Sequence, residues 1–77
     1  MIDQGAINIQ IGQNLRAARL RAEFSQAVLA EAIGVKTQQV HKYETGMNRI
    51  SAPRLVVACM LLGVRYDDIL PKLENAK

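Results

Sequence analysis

The few side chains that could perform acid-base, nucleophilic or metal chemistry are poorly spaced for it. The chain contains one histidine, His41, and one cysteine, Cys59, which are eighteen residues apart. We expect His41 on an exposed helix and Cys59 on an apolar one, so they do not form a nucleophile and its base. Asp67 and Asp68 are adjacent, which prevents them from forming one metal-binding face, and the chain has no glycine-rich phosphate loop. The sequence therefore predicts no enzyme, no metal site and no cofactor.

Basic residues are concentrated in the second half of the chain. Residues 34 to 66 carry five basic residues against one acidic residue, whereas residues 1 to 33 carry three of each. A basic surface of this kind suits the phosphate backbone of DNA, which supplies most of the non-specific affinity of DNA-binding proteins. The alternative is a solvated basic face without a ligand. The helical motif in the same region favours DNA.

That motif lies in residues 25 to 46, SQAVLAEAIGVKTQQVHKYETG, which we interpret as two short helices joined by a glycine turn. Ser25 is a typical N-cap, and Gly34 can end the first helix in a left-handed conformation without steric cost. Ala30, Gly34 and Val40 have the spacing of a helix-turn-helix. In that motif a small residue lets the helices approach, a glycine forms the turn and a branched apolar residue packs back between them.

Around this motif the sequence predicts an all-α fold of five helices. The 77 residues are too few for two cores, so we expect one helix-turn-helix domain over residues 9 to 70. A flexible N-terminal arm, residues 1 to 8, precedes it, and a polar tail, residues 71 to 77, follows it. The predicted helices outside the first half of the motif are residues 7 to 22, 37 to 44, 52 to 62 and about 66 to 70.

Cysteine usage and hydropathy restrict the cellular setting. A single cysteine excludes an internal disulfide bond. The sequence also shows no signal peptide and no run of about 20 apolar residues that would span a membrane. We therefore expect a cytosolic protein in a reducing compartment.

The predicted fourth helix is apolar on all sides, which is unusual for a surface helix of a small domain. One stripe, predicted to be buried, consists of Leu55, Ala58, Cys59 and Leu62. A second stripe consists of Val57, Met60 and Leu61. Either the rest of the domain wraps this helix or a second subunit covers it. Val57, Met60 and Leu61, together with the last predicted helix, are therefore the candidate interface of a homodimer.

From about residue 9 to residue 70 the sequence resembles the Xre family of helix-turn-helix regulators, which includes the lambdoid phage Cro and repressor DNA-binding domains. The similar segments are IGQNLRAAR, FSQAVLAEAIGV, KTQQVHKYETG, NRIS and LGVRYDDIL. The sequence departs from the family pattern at Lys36, where a serine or threonine cap is usual. It also departs at Val28, Val57 and Met60, where polar residues are usual.

The resemblance implies that the third helix lies in the major groove of double-stranded DNA. The residues that match base-reading positions are Thr37, Gln38, Gln39 and Lys42. Their chemistry agrees, because glutamine can bond adenine in a bidentate manner, lysine can reach guanine acceptors and the threonine methyl can meet thymine.

The resemblance also implies phosphate contacts and one structural ion pair. Gln26 matches a phosphate-contacting glutamine at the start of the second helix, where helix amides also favour an anion. Further candidates for phosphate contacts are His41, Asn48, Arg49 and Arg16. Arg19 and Glu44 match a partly buried ion pair between the first helix and the end of the third.

We therefore expect a sequence-specific DNA-binding transcriptional regulator, a repressor, acting as a homodimer on a pseudo-palindromic operator. Two copies about one turn of DNA apart, roughly 34 Å, would multiply the specificity of so small a domain. The alternative is a protein-interaction or antitoxin-type module whose apolar fourth helix docks a partner protein. Such a module would not require a polar, basic face on residues 37 to 49.

Overall fold

The computed structural model describes residues 2 to 72, which form five α-helices and no β-strand. The all-α prediction is confirmed. The helices are α1 (Gln4–Arg21), α2 (Gln26–Ile33), α3 (Thr37–Glu44), α4 (Ala52–Leu62) and α5 (Tyr66–Ile69). No helix in this part of the chain is long and apolar enough to cross a membrane.

The N-terminal end of α1 differs from the prediction. The helix begins at Gln4 because the carboxylate of Asp3 accepts hydrogen bonds from the amides of Gly5 and Ala6, at 2.9 and 3.2 Å. Aspartate is a favoured N-cap, since it satisfies amides that have no partner inside the helix. The predicted flexible arm over residues 1 to 8 is therefore wrong for residues 4 to 8. Met1 and most of the predicted tail, residues 73 to 77, lie outside the described residues.

All five helices contribute to one apolar core. Helix α2 packs against α3 and α4, and α1 packs against α3 and α5. The pair of α2 and α3 therefore lies between α1 and α4. Burial of these apolar side chains is the main favourable contribution to folding. The buried apolar residues are Leu15, Ala18, Leu29, Ala30, Ile33, Val40, Tyr43, Leu55, Ala58, Cys59, Leu62 and Ile69.

Helix α1 crosses the end of α3 at a distance that only glycine allows. A Cβ atom at Gly12 would lie 2.8 Å from the carbonyl oxygen of Glu44 and would also collide with the carbonyl oxygen of Tyr43. The turn after α3 is equally tight. Gly46 has a φ of +79°, and a Cβ atom there would lie 2.6 Å from Cγ1 of Ile9. The need for glycine at residue 12 has no local signal in the sequence, because Gly12 lies inside an otherwise regular helical pattern.

The last helix is tied to the first by a side chain. Asn14 donates a hydrogen bond of 2.8 Å from Nδ2 to the carbonyl oxygen of Ile69. The bond supplies a partner for a backbone carbonyl at the end of α5, where helices leave carbonyl groups unpaired. Ile69 itself is fully buried, so this contact keeps the short α5 against the core.

Candidate nucleic-acid interface

The two helices of the motif are joined as their sequence predicts. Ser25 Oγ accepts a hydrogen bond of 3.1 Å from the amide of Val28 and so caps α2. Gly34 ends α2 with a φ of +77°, in the left-handed region where glycine pays no steric penalty. The amide of Val35 then bonds the carbonyl oxygen of Ala30 at 3.0 Å. This closed turn sets the direction in which α3 leaves.

The start of α3 lacks a capping side chain. Lys36 occupies the N-cap position and makes no side-chain cap hydrogen bond. Its carbonyl oxygen nevertheless accepts the amide of Gln39 at 2.9 Å, so the first turn of the helix forms. Helix α3 begins at Thr37, as the sequence predicts.

The outward side of α3 carries the predicted base-reading residues. Thr37, Gln38 and Lys42 are exposed, and Gln39 is half-buried. Val40 and Tyr43, on the opposite side, are buried in the core. The helix therefore separates its apolar face from its polar face cleanly.

Two shallow grooves flank this outward side. The first brings together residues of α2, α3 and the loop after α3, and it unites five of the predicted contact residues with Met47. Its lining residues are Gln26, Thr37, Gln38, His41, Lys42 and Met47. The second groove lies between α3 and the start of α4. Its lining residues are Val35, Lys36, Gln38, Gln39, Lys42, Tyr43 and Arg54.

Three predicted phosphate contacts lie outside both grooves. Asn48 and Arg49 are exposed in the loop between α3 and α4, and Arg16 is exposed on α1. Met47, which the sequence did not single out, is 71% exposed beside the predicted contact residues.

Glu44 is the centre of a buried polar cluster behind the outward side of α3. Arg19 Nε donates to Glu44 Oε2 at 2.7 Å, and Arg19 Nη2 donates to Glu44 Oε1 at 3.0 Å. Both residues are buried, so the pair predicted from the resemblance is a bidentate ion pair inside the protein. Two further bonds complete the cluster: Arg19 Nη1 donates to the carbonyl oxygen of Phe24 at 2.8 Å, and Gln26 Nε2 donates to Glu44 Oε1 at 3.0 Å.

This ion pair keeps the negative charge of Glu44 away from the surface around α3. Glu44 is the one acidic residue between residues 34 and 66, and Arg19 compensates its charge in the interior. No other ion pair forms within residues 2 to 72. The exposed basic side chains near α3 and α4 are therefore not neutralised by a neighbouring carboxylate. They are Lys36, Lys42, Arg49 and Arg54.

The one cysteine has no place in this surface. Cys59 is buried in α4, and burial raises the pKa of its thiol, with the negative charge of Asp68 as a second cause. A raised pKa keeps the thiol protonated at neutral pH and lowers its reactivity as a nucleophile. His41 lies on the outer side of α3, away from the core that contains Cys59.

The outward face of α4 differs from the predicted second stripe in one residue. Met60 is 76% exposed and Val57 is 40% exposed, as an interface face requires. Leu61, in contrast, is half-buried against the core, so less of its side chain is open to a partner. Val56 takes its place, at 45% exposure. Helical geometry places Val56 and Leu61 about 110° on either side of the buried stripe. The packing of the other helices against α4 therefore decides which of the two is covered.

Comparisons with known proteins agree with this geometry. Residues 10 to 70 match the family described as "Helix-turn-helix domain". An uncharacterised HTH-type transcriptional regulator of Sinorhizobium fredii, y4wC, is 40% identical over 74 residues, covering 91% of this chain and 52% of that protein. The restriction-modification controller protein C.AhdI from Aeromonas hydrophila superposes with a TM-score of 0.78 at 25% identity, over 84% of this chain and 98% of its own. The DNA-binding domain of BldD gives a TM-score of 0.75 at 28% identity, over 87% and 97% of the two chains.

The family match extends over most of the chain, while the chain spans about half the length of the curated relative it matches. The DNA-binding helix-turn-helix places its second helix in the major groove. The resemblance to Xre-type regulators is thereby confirmed, and the chain belongs to the helix-turn-helix domain family.

Proposed function

We propose that this domain binds double-stranded DNA with α3 in the major groove. The observation that carries the proposal is the assembly of Gln26, Thr37 and Lys42 along one open groove beside a surface of uncompensated positive charge. In this arrangement the side chains at the start of α3 read base edges. The base-reading residues are Thr37, Gln38, Gln39 and Lys42.

The phosphate backbone is contacted from several elements around α3. Gln26 at the start of α2 and His41 on α3 meet one strand, and the loop residues Asn48 and Arg49 extend the contact. Arg16 on α1 is a more distant member of this set. Contacts of this kind fix the register of the protein on DNA, while the base contacts supply specificity.

The relatives support a role of the domain in transcriptional regulation. The similar protein of Sinorhizobium fredii is named an HTH-type transcriptional regulator, and the BldD structure is titled as a DNA-binding domain. We infer that the domain belongs to a repressor that works in the cytoplasm. A bound repressor domain acts by occupying its operator.

The domain acts as a homodimer in this proposal. The interface is the outward face of α4, defined here as Val56, Val57 and Met60, together with α5. Three apolar side chains next to each other on one helix face are suited to a symmetric contact between copies. Two domains related by a two-fold axis would read half-sites about 34 Å apart.

Selection from random duplex oligonucleotides tests the function directly. The expected result is a pseudo-palindrome whose half-sites are about 10 base pairs apart. Titration of mixed-sequence DNA at several salt concentrations provides the second measurement. The logarithm of the affinity should fall linearly with the logarithm of the salt concentration, because phosphate contacts release counterions. Absence of both enrichment and salt dependence would refute DNA binding.

A protein-interaction or antitoxin-type module is the second candidate. The observation that favours it is Met60, which is 76% exposed on an apolar helix face that a partner protein could cover. The outward side of α3 would then have no ligand. Salt-insensitive binding to DNA, together with a stable complex of another protein on α4, would favour this candidate.

A further inference from the structure

Glu44 makes one hydrogen bond beyond its ion pair with Arg19. Its side chain is 1% exposed, so the carboxylate itself cannot reach a ligand outside the protein. Oε1 nevertheless accepts a hydrogen bond from Gln26, whose side chain is half-buried at the edge of the groove beside α3. Gln26 thus links a buried carboxylate to the proposed DNA surface.

The carboxylate determines which way the amide of Gln26 faces. An ionised carboxylate only accepts hydrogen bonds, so the group of Gln26 that faces it must be the NH₂ and not the carbonyl oxygen. One N–H of Nε2 is used by Glu44. Among the described residues, the second N–H makes no hydrogen bond and is left as a donor.

The ion pair also supplies this acceptor without adding net charge. A lone carboxylate behind a phosphate site would repel the phosphate, because charge interactions are strong near the protein interior. Arg19 removes that repulsion by two hydrogen bonds, at 2.7 and 3.0 Å. Glu44 can therefore orient Gln26 at little electrostatic cost to an anion outside.

We propose that Glu44, held by Arg19, is a positioning residue for DNA binding, which fixes the amide of Gln26 so that its free N–H donates to a backbone phosphate. The role rests on the proposed function, since it requires a DNA phosphate at Gln26. A glutamine side chain that is free to rotate loses rotamer entropy when it binds DNA. A side chain that is already fixed before binding avoids this loss. Arg19 and Glu44 thus contribute to affinity as well as to the fold.

A double-mutant cycle tests this coupling. The four proteins are the wild type, Gln26→Ala, the pair replacement Arg19→Met with Glu44→Leu, and the triple variant. Apolar replacement of a whole buried ion pair is commonly tolerated by the fold, whereas removal of one partner is not. Affinity for a mixed-sequence 20-base-pair duplex is measured by fluorescence anisotropy, because a phosphate contact is independent of sequence.

The losses of DNA affinity caused by Gln26→Ala and by the pair replacement should not be additive. Gln26→Ala should weaken binding about tenfold in the wild type, as loss of a hydrogen bond to a charged group does, and less than twofold in the pair-replaced background. The salt slope should stay unchanged, because glutamine releases no counterion. Gln4→Ala, an exposed glutamine at the first residue of α1, is the matched control and should leave affinity unchanged.

Glu44→Asp provides a second comparison should the pair replacement not fold. It keeps the buried negative charge, but its side chain is one methylene shorter, which draws the carboxylate back from both Gln26 and Arg19. We expect it to retain the circular dichroism spectrum of the wild type and to lose about as much affinity as Gln26→Ala. A purely structural Glu44 would give the opposite pattern, with full affinity in every variant that remains folded.

The measurements distinguish a failure of the proposed function from a failure of the positioning role. A wild-type protein without salt-dependent DNA binding overturns the proposed function and the positioning role together. A wild-type protein that binds DNA, but in which Gln26→Ala has no effect or costs the same factor in both backgrounds, overturns the positioning role alone.

Discussion

Gly12 on α1 faces the backbone carbonyl oxygen of Glu44 on α3 with no space for a side chain between them. A Cβ atom at Gly12 would lie 2.8 Å from that oxygen, and backbone cannot move aside as a flexible side chain can. The contact brings α1 close enough for Arg19 to reach Glu44. One glycine in the middle of a helix therefore permits both the helix crossing and the buried ion pair.

Gly12→Ala should lower the free energy of unfolding by about 3 kcal/mol, the upper part of the range for overpacked sites. Urea denaturation followed by circular dichroism measures the change. Gly5→Ala is the matched control in the same helix. It meets only a side-chain oxygen of Asp3, at 3.2 Å, and should be neutral or stabilising by up to about 1 kcal/mol. Equal effects of the two substitutions would contradict the close crossing.

Glu44→Ala should destabilise the protein much more than Gln39→Ala. The first substitution leaves Arg19 buried and uncompensated, which typically costs about 3 kcal/mol or more. The second shortens a half-buried side chain on the outer side of α3 and should cost about 0.5 kcal/mol or less. Thermal denaturation should separate the two variants by at least about 10 °C. Comparable melting temperatures would contradict the importance of the ion pair.

Glu23→Gly should stabilise the protein by about 1 kcal/mol. Glu23 follows α1 with a φ of +61°, in the left-handed region that is unfavourable for residues with a Cβ atom. Glu31→Gly serves as the control, because Glu31 lies in the regular helix α2 and glycine there should destabilise by about 1 kcal/mol. Chemical denaturation of both variants checks the opposite signs. A loss of stability in Glu23→Gly would refute this account of the turn.

Lys36→Ser should stabilise free protein by about 1 kcal/mol, because serine can cap the amides at the start of α3 that the lysine side chain leaves unbonded. Lys42→Ser removes an equal charge inside α3 without creating a cap. It should be neutral or destabilising by about 0.5 kcal/mol. Urea midpoints measured at the same salt concentration separate the two effects, and equal shifts would show that charge, rather than capping, is responsible.

Met60→Asp should shift the proposed homodimer towards monomer. The substitution introduces a charge on the outward face of α4. Charged residues are depleted in the cores of protein interfaces, so the charge should weaken the contact. Sedimentation equilibrium of wild type and variant measures the association. Leu20→Asp is the control, since Leu20 is 48% exposed on α1, outside that face. A monomeric wild type, or equal weakening by both substitutions, would exclude α4 as the interface.

The sequence alone was sufficient for the elements whose signals are local. The N-cap Ser25 and the turn at Gly34 predicted the two helices of the motif, because caps and left-handed turns depend on a few neighbouring residues. The buried stripe of α4 and its end at Gly63 followed from helical periodicity in the same way. The start of α1 was also encoded locally, at Asp3, but the weak periodicity of residues 1 to 8 concealed it.

Residues that are distant in sequence required the tertiary structure. Periodicity treats Val56 and Leu61 alike, since they lie symmetrically about the buried stripe, and only the neighbouring helices make one exposed and the other half-buried. The need for glycine at residue 12 arises from a helix contacted 31 positions later, at Tyr43. The sequence by itself determined the five-helix fold and the polar outward side of α3. Only the tertiary structure decided that Gln26 bonds Glu44, because that hydrogen bond depends on how three helices pack.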